Sequence, residues 1–430
     1  MSEYDQKNFI DTPFMQRLKR IRHAPADAVY PSCTHTRFTH SLGVMQLGIT
    51  LFDKLVNRNI LDTNIIEDIQ KYRNTVKYAC LLHDIGHTPL SHICEGFGDN
   101  AINAYETYIK PKGIVFEEVP TGSKHEWASC AISVECFHEE LQKQGVDLEL
   151  FCRMICGIQY QEQEKAWLNP LIYILNSWTD VDKIDYLLRD GHMSGAKLAV
   201  LDYDRLLSAF SIYNNEIYVS KQGFSIISQL VHGRDSLYLW LYTHHAVSYY
   251  GSLIQRYIEH LISVGKNVDL FSLKALINGA DDYQLYSHLR QCFDTDDPLI
   301  KILHNQIFNR NFYKALWKTP FECEDLLGSL PKKKLVLNCK KFELDIINKF
   351  NLPPNSVFIY EAKFKIFEEA ATDIWVCVGD KKENFTKYFN ESVYAKICKR
   401  SHTPYIRIKR DLYSDTLKKE IIKYIKSGET

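Results

Sequence analysis

Residues 79–95 constrain this chain more than any other stretch. They read Ala79-Cys80-Leu81-Leu82-His83-Asp84-Ile85-Gly86-His87-Thr88-Pro89-Leu90-Ser91-His92-Ile93-Cys94-Glu95. An apolar, helix-like run delivers a His-Asp doublet, and two more histidines and a carboxylate follow beside a Gly and a Pro. Core packing alone does not explain so many metal-ligating and proton-transferring side chains in one place. The stretch reads as the centre of a metal-dependent phosphohydrolase.

The remaining composition narrows the setting. A chain of 430 residues accommodates one large domain and a smaller one. Its 45% hydrophobic and 24% charged content is that of a globular protein, and 26 Tyr with 22 Phe give ample core material. A net charge of −1 carries no global footprint of nucleic-acid or membrane binding; single-strand binding stays open only as a local property. No apolar run is long enough to span a bilayer, and the polar start Met1-Ser2-Glu3-Tyr4-Asp5 is unlike a signal peptide. The 12 cysteines are scattered without a CxxC pair, and Cys152 and Cys156 read as buried thiols on one helix face. A reducing, cytoplasmic setting is therefore expected.

Periodicity and punctuation predict mostly helices. Asp11 or Thr12 caps a first helix with Pro13 in its opening turn. Arg37 and His40 share one face of a helix running toward Asn57, and a second helix over 65–84 ends at Asp84-Ile85-Gly86. Residues 96–123, rich in Gly and Pro, read as a long loop. His125-Glu126-Trp127 opens a helix to about Gln142; two more span about 147–157 and 164–176 and lead to Asp180-Val181-Asp182-Lys183-Ile184-Asp185. A hairpin is expected at 213–220, and one or two long helices over 224–264. After about residue 325 the character changes. Strands are expected at 332–338, 356–360 and 373–378, before a final Lys-rich amphipathic helix whose charges read as a solvated face. The fold class is thus mainly α: a helical bundle over 1–325 and a small α+β domain of unknown role over 326–430.

A lone His-Asp doublet carries little weight among 16 histidines. Taken singly, His40 or His83 reads as a buried helix histidine and Asp182 as a cap or surface charge. Together His40, His83, Asp84 and Asp182 offer two imidazoles and two carboxylates, a mixed N/O set that suits a divalent metal with positions left open. Such an ion acidifies water and neutralises phosphate charge. Composition does not distinguish Fe, Mn, Zn, Ni or Mg.

Three segments, Asp11-Thr12-Pro13-x-x-Gln16-Arg17-Leu18, His35-x-Arg37-Phe38-x-His40-Ser41-Leu42-Gly43-Val44 and Leu82-His83-Asp84-Ile85-Gly86-His87-x-Pro89-x-Ser91-His92, resemble the HD-domain deoxynucleoside triphosphate triphosphohydrolases. This family includes bacterial dGTPases and the animal enzyme with a sterile-alpha-motif domain. His125-Glu126, Asp180 to Asp190 and His232-x-Arg234 through Tyr242 continue the likeness, which covers about residues 10–265 in order. It implies an HD-type helical bundle with His40, His83, Asp84 and Asp182 holding the metal. It implies that His92, paired with Glu95, protonates the leaving 5′ oxygen and that His87 and His125 touch the phosphates, with Glu126 counted in the same catalytic set. Arg37, Lys183 and Arg234 match phosphate-binding positions, Tyr186 and Asp190 flank the sugar 3′-OH, and Tyr242 packs where a 2′-hydroxyl would sit. Homo-oligomers are the rule in the family.

Asp11, Gln16 and Lys19 match part of the animal enzyme's guanine-nucleotide site, whereas Ser220 and Gln222 stand where its second regulatory site is basic; nucleotide activation of that type is not expected. A glutamine that contacts the sugar is also replaced near His23. The expected activity is hydrolysis of a dNTP to deoxynucleoside and inorganic triphosphate. Two alternatives remain: a phosphodiesterase or phosphatase on another nucleotide, and a nucleotide or single-stranded nucleic-acid binding protein.

Overall fold

The computed structural model describes residues 1–57, 69–116, 122–213, 215–266, 268–328, 338–363, 374–378, 381–388 and 402–427. They divide into two compact units that interleave along the chain. The first comprises 1–234, 269–286 and 370–390, and the second 235–268, 287–369 and 391–430. Mainly helical structure with a few strands is what the sequence leads one to expect.

The first unit is built around helix Arg73–Leu82, buried continuously from Thr75 to Leu82. It packs between helix Arg37–Asn57 on one side and helix Leu148–Cys156 on the other, and Arg37–Asn57 also meets helix Val181–Ser194. The close approach depends on Gly48, where an added Cβ would sit 2.5 Å from Cys80 Sγ. Thr12 caps helix Pro13–Arg17 as expected, and its side chain accepts from Met15 N. Four strands form a sheet in the order Phe210–Tyr213, Glu216–Ser220, Trp375–Val378, Lys381–Asn384. The hairpin expected near 213–220 is its first, antiparallel pair. Strand Trp375–Val378, read from sequence as part of a separate C-terminal domain, instead pairs in parallel with Glu216–Ser220. Such a long-range pairing leaves no local trace in sequence.

The second unit contains helix His245–Ser263 and an antiparallel sheet in which His402–Ile408 lies between Lys314–Ala315 and Val357–Lys363. Its core holds Tyr249, Phe358, Tyr360 and Tyr405, with Arg256 clasped by Glu343 and laid over the Phe358 ring. The terminal helix, Asp415–Ser427, buries Ile421, Ile422 and Ile425. No helix among the described residues is long and apolar enough to cross a membrane.

Three expectations change. Residues 101–112 are helical rather than loop: Asn100 caps Ala101–Ala104, Tyr105–Ile109 continues as a π-helix, and Ala104, Tyr105 and Ile109 are buried. Pro111 and Gly113 (φ +83°) end that segment, so the punctuation marks its close. The helix opening at His125 breaks at Phe137 into Lys124–Cys136 and His138–Lys143. The long helical stretch divides into Phe224–Leu237, a π-helical turn Tyr238–Tyr242, and His245–Ser263. The strand expected at 332–338 lies, up to residue 337, outside the described residues.

Candidate metal centre and its histidine chain

Helix Arg73–Leu82 ends in a tight turn in which Ile85 N donates to Leu82 O and His87 N to Asp84 O. Gly86 is required there. A Cβ would lie 2.3 Å from Ser129 N and 2.6 Å from His125 O, so only hydrogen lets the turn rest on helix Lys124–Cys136. The contact is sealed by Gly86 N donating to Ser129 Oγ at 2.9 Å. The same packing therefore places His83-Asp84 and fixes their distance from His125.

Arg17 holds the turn from below. Its guanidinium, 1% exposed, donates to Ile85 O (2.5 Å), His87 O (3.0 Å) and Ala280 O (2.9 Å). Burial pulls its pKa down to about 10, still far above neutrality.

Four side chains, two from the turn itself and one from each of two helices, converge here. His40 Nε2 lies 2.9 Å from Asp182 Oδ1 and 3.5 Å from Asp84 Oδ2; His83 Nε2 lies 3.5 Å from Asp84 Oδ1 and 3.7 Å from Asp182 Oδ1. The other nitrogen of each ring is occupied: His40 Nδ1 by Asp185 Oδ2 at 2.8 Å, and His83 Nδ1 by the Cys80 carbonyl at 2.9 Å. Asp185 is held in turn by Arg189, which donates to both its oxygens at 2.8 Å. Both Nε2 atoms are buried and have no hydrogen-bond partner. Rings turned by an outer carboxylate or carbonyl, with converging bare Nε2 atoms and two carboxylates, fit a divalent cation.

The electrostatics agree. Burial opposes charge on Asp84, but Arg37, His83 and His87 outweigh it and hold this carboxyl well below the usual range. Asp182 is likewise depressed: burial opposes its charge, and His40 and His83 overcome it. Burial also disfavours a charged His40, yet the adjacent carboxylates of Asp182 and Asp185 push its pKa up to about 10. Two carboxylates, one buried and one partly so, face each other here, and a cation held between them would supply positive charge in place of ring protons, which its binding would release.

Beside this cluster runs a second group of imidazoles. His87, fully buried, sits with Nε2 3.1 Å from Asp84 Oδ1 and stacks on His125 at 4.2 Å. Glu95 joins two rings, taking His125 Nδ1 on one oxygen (2.8 Å) and His92 Nδ1 on the other (3.0 Å). Its pKa is driven far down, because those two partners overcome the cost of burial. His92 is the outermost member, with 63% of its side chain exposed. The series thus leads from Asp84 to the surface.

The other expected residues are distributed less simply. Arg37 is buried and donates to Asp84 Oδ2 (2.7 Å) and Ser91 Oγ (3.1 Å), so it braces the cluster directly. Lys183 Nζ lies on Asp180 Oδ2 at 2.6 Å, and the Arg234 guanidinium lies over the Trp178 ring at 4.9 Å. Tyr186 stands on helix Val181–Ser194, one turn beyond Asp182. Asp190 is buried and shares Oδ1 between His23 Nδ1 (3.2 Å) and His35 Nε2 (2.5 Å). Tyr242 belongs to the second unit, where its ring meets Tyr238 edge-on at 5.1 Å. Glu126 stands at the start of helix Lys124–Cys136. Its carboxylate accepts from Ser123 N at 2.9 Å, closing the start of its own helix rather than joining the histidines.

Sequence reasoning missed Asp185, His23 and His35. For Asp185 a signal existed, three residues beyond Asp182 on the same helix face, and His35 stands at the head of the His35-x-Arg37 motif; for His23 there was none.

Comparison with known proteins agrees with this arrangement. The HD domain family matches residues 37–117, and the HD associated region matches residues 201–389. A deoxynucleoside triphosphate triphosphohydrolase SAMHD1 homolog from Dictyostelium discoideum is 28% identical over 323 residues, 71% of this chain and 56% of that protein. Two solved structures share the fold. A hypothetical protein from Aquifex aeolicus has a TM-score of 0.68 at 22% identity, covering 98% of this chain and 96% of its own. A phosphohydrolase from Bacteroides thetaiotaomicron has a TM-score of 0.66 at 20% identity, with 95% of both chains covered. The chain spans between 51% and 64% of the length of the first curated relatives it matches.

Proposed function

We propose that this chain, which belongs to the HD-domain phosphohydrolase family, hydrolyses deoxynucleoside triphosphates to deoxynucleoside and inorganic triphosphate. One observation carries the reading: two outer-braced imidazoles and two carboxylates converge beside a pair of imidazoles joined by one carboxylate. A divalent cation held by His40, His83, Asp84 and Asp182 would supply Lewis-acid stabilisation of phosphate charge and acidify water.

The chain's own groups supply the rest. Hydrolysis at the α-phosphorus forms a bond to water oxygen and breaks the bond to the 5′ oxygen. One proton leaves the water, and one must reach the departing alkoxide. Exposed His92, oriented through Nδ1 by Glu95, is the group suited to deliver it. His125 and His87 extend that hydrogen-bonding surface inward toward Asp84. Arg37, Lys183 and Arg234 are the cations proposed to meet the phosphates, and Tyr186, Asp190 and Tyr242 the groups proposed for the sugar. The Dictyostelium relative, named as a deoxynucleoside triphosphate triphosphohydrolase, supports the substrate class. A homo-oligomeric state is part of the same proposal.

The test is incubation of the purified chain with each dNTP and Mn²⁺ or Mg²⁺, with products separated by ion exchange. Deoxynucleoside and triphosphate are expected. Monophosphate with pyrophosphate, or no turnover of any dNTP, refutes the assignment. Light scattering during size exclusion checks the oligomer.

A further inference from the structure

A third imidazole faces the metal-ligand cluster, and it lies outside the quartet described above. His23 is 8% exposed, and its ring packs against His40 with centroids 4.4 Å apart. One ring nitrogen of His23, one of His40 and one carboxylate oxygen of Asp84 all lie within 4.8 Å of one another. Two donors bound to one ion at about 2.1 Å are separated by at most about 4.2 Å, so small adjustments bring all three onto a common cation.

The surroundings of His23 repeat those of His40. His40 Nδ1 is taken by Asp185, which Arg189 fixes; His23 Nδ1 is taken by Asp190 at 3.2 Å, which His35 Nε2 fixes at 2.5 Å. Asp190 is completely buried and His35 nearly so. With Nδ1 engaged, Nε2 is the nitrogen left to His23 for a ligand. A carboxylate behind an imidazole fixes its tautomer and raises its donor strength, the usual second layer of a metal site. Were Asp190 present only to balance one histidine, burying a second one against it would serve no purpose.

We propose that His23 is a further ligand of the cation, making three imidazoles and two carboxylates, with Asp190 and His35 as its positioning residues. This rests on the metal reading of the quartet. Through Oδ1 it gives Asp190 a positioning role beside the sugar contact proposed above.

The experiment uses the full chain loaded with Zn²⁺ or Co²⁺ and requires no turnover. X-ray absorption at the metal edge is expected to count three imidazoles in the wild type and two in His23→Gln. Zn²⁺ affinity, measured by competition with a chelator, should weaken about 10- to 100-fold in His23→Gln and in Asp190→Asn. Asp190→Asn retains the His23 ring, so it preserves the test should the first variant fold poorly. Two imidazoles in the wild type, or a count and affinity unchanged in His23→Gln, overturn the role of His23. Asp84→Ala is expected to lose the ion whether or not His23 is a ligand. A wild type that binds no ion, or an Asp84→Ala protein that binds it equally, refutes the metal site itself.

Discussion

Arg17 offers the sharpest test of how the HD turn is held. Its guanidinium is buried and donates to three main-chain carbonyls, of Ile85, His87 and Ala280. Two of these flank the turn that carries Asp84. Hydrogen bonds from a charged donor are worth about 1.5–3 kcal/mol each, and a buried acceptor left bare costs a similar amount. Arg17→Met keeps most of the side-chain volume and removes every donor, so three carbonyls lose their partner. The expected loss is about 4–6 kcal/mol, allowing for partial relaxation, against a typical domain stability of about 5–15 kcal/mol. Arg17→Lys keeps a charge but not the fork, and should lose about 2–4 kcal/mol. Urea unfolding followed by tryptophan fluorescence measures both; Trp127 lies fully buried on the helix against which the turn rests. Amide exchange at Gly86 should accelerate in the same order, Met above Lys. If both variants stay within about 1 kcal/mol of wild type, Arg17 does not support the turn, and its burial needs another explanation.

Three further perturbations follow from particular contacts. Gly43→Ala on helix Arg37–Asn57 would put a Cβ 1.9 Å from Asp185 Oδ1 and 2.4 Å from Arg189 Nη2, displacing the carboxylate that orients His40. Bound metal measured after dialysis should fall sharply while helical circular dichroism is kept. Asp185→Asn removes the negative charge behind His40 Nδ1 and one of the two acceptor oxygens with little change of shape, and metal affinity should weaken about 10- to 100-fold by chelator competition. Asp5, fully buried, has a pKa lowered to about 2: burial opposes this, but Lys77, Ser2 and Tyr78 outweigh it. Its folded pKa lies below its unfolded one, so its stabilisation is complete above about pH 4 and is lost as pH falls toward 2. Its size is about 2 kcal/mol at roughly 1.4 kcal/mol per unit. Asp5→Asn should therefore lower the urea midpoint at pH 6, with the gap to wild type narrowing at pH 3.

What was legible in the sequence was what neighbours in sequence decide. His83, Asp84, His87 and His92 stand together in one stretch, and helix spacing aligns Arg37 with His40 and Asp182 with the residues after it. Contacts across more than a hundred residues were not legible: His23 and His35 on Asp190, Arg17 on the Ala280 carbonyl, and Trp375–Val378 beside Glu216–Ser220. Glu126 carries two signals at once. Adjacency to His125 drew it into the chemistry, although Ser123-Lys124-His125-Glu126 also spells a helix-start capping pair, and the structure uses it as one. The segment 101–112 was misread because Pro and Gly were weighed without Asn100, whose side chain accepts from Asn103 N and starts the helix.

The turn's continuation explains how one short stretch serves both a sealed ligand cluster and an open surface. Leu90 and Ser91 both adopt left-handed backbone (φ +57° and +51°), a conformation that costs non-glycine residues about 1–3 kcal/mol each. The surrounding contacts over-determine it. Asp282 accepts from Leu90 N at 2.7 Å and from Arg22 N at 2.8 Å. Ser91 Oγ donates to Arg22 O and receives Arg37 Nε. Arg37 in turn grips Asp84, so the same cation that braces the ligand carboxylate also braces the bend. With the chain reversed here, His87 remains buried against Asp84 whereas His92 is carried out to solvent and meets Glu95. In a regular helix, residues five apart point about 140° apart around the axis, whereas the bend brings these two rings to 4.9 Å, one buried and the other open to solvent. The strained pair at Leu90–Ser91 sets that arrangement, and Arg22 and Asp282, from two separate stretches of the first unit, hold it in place.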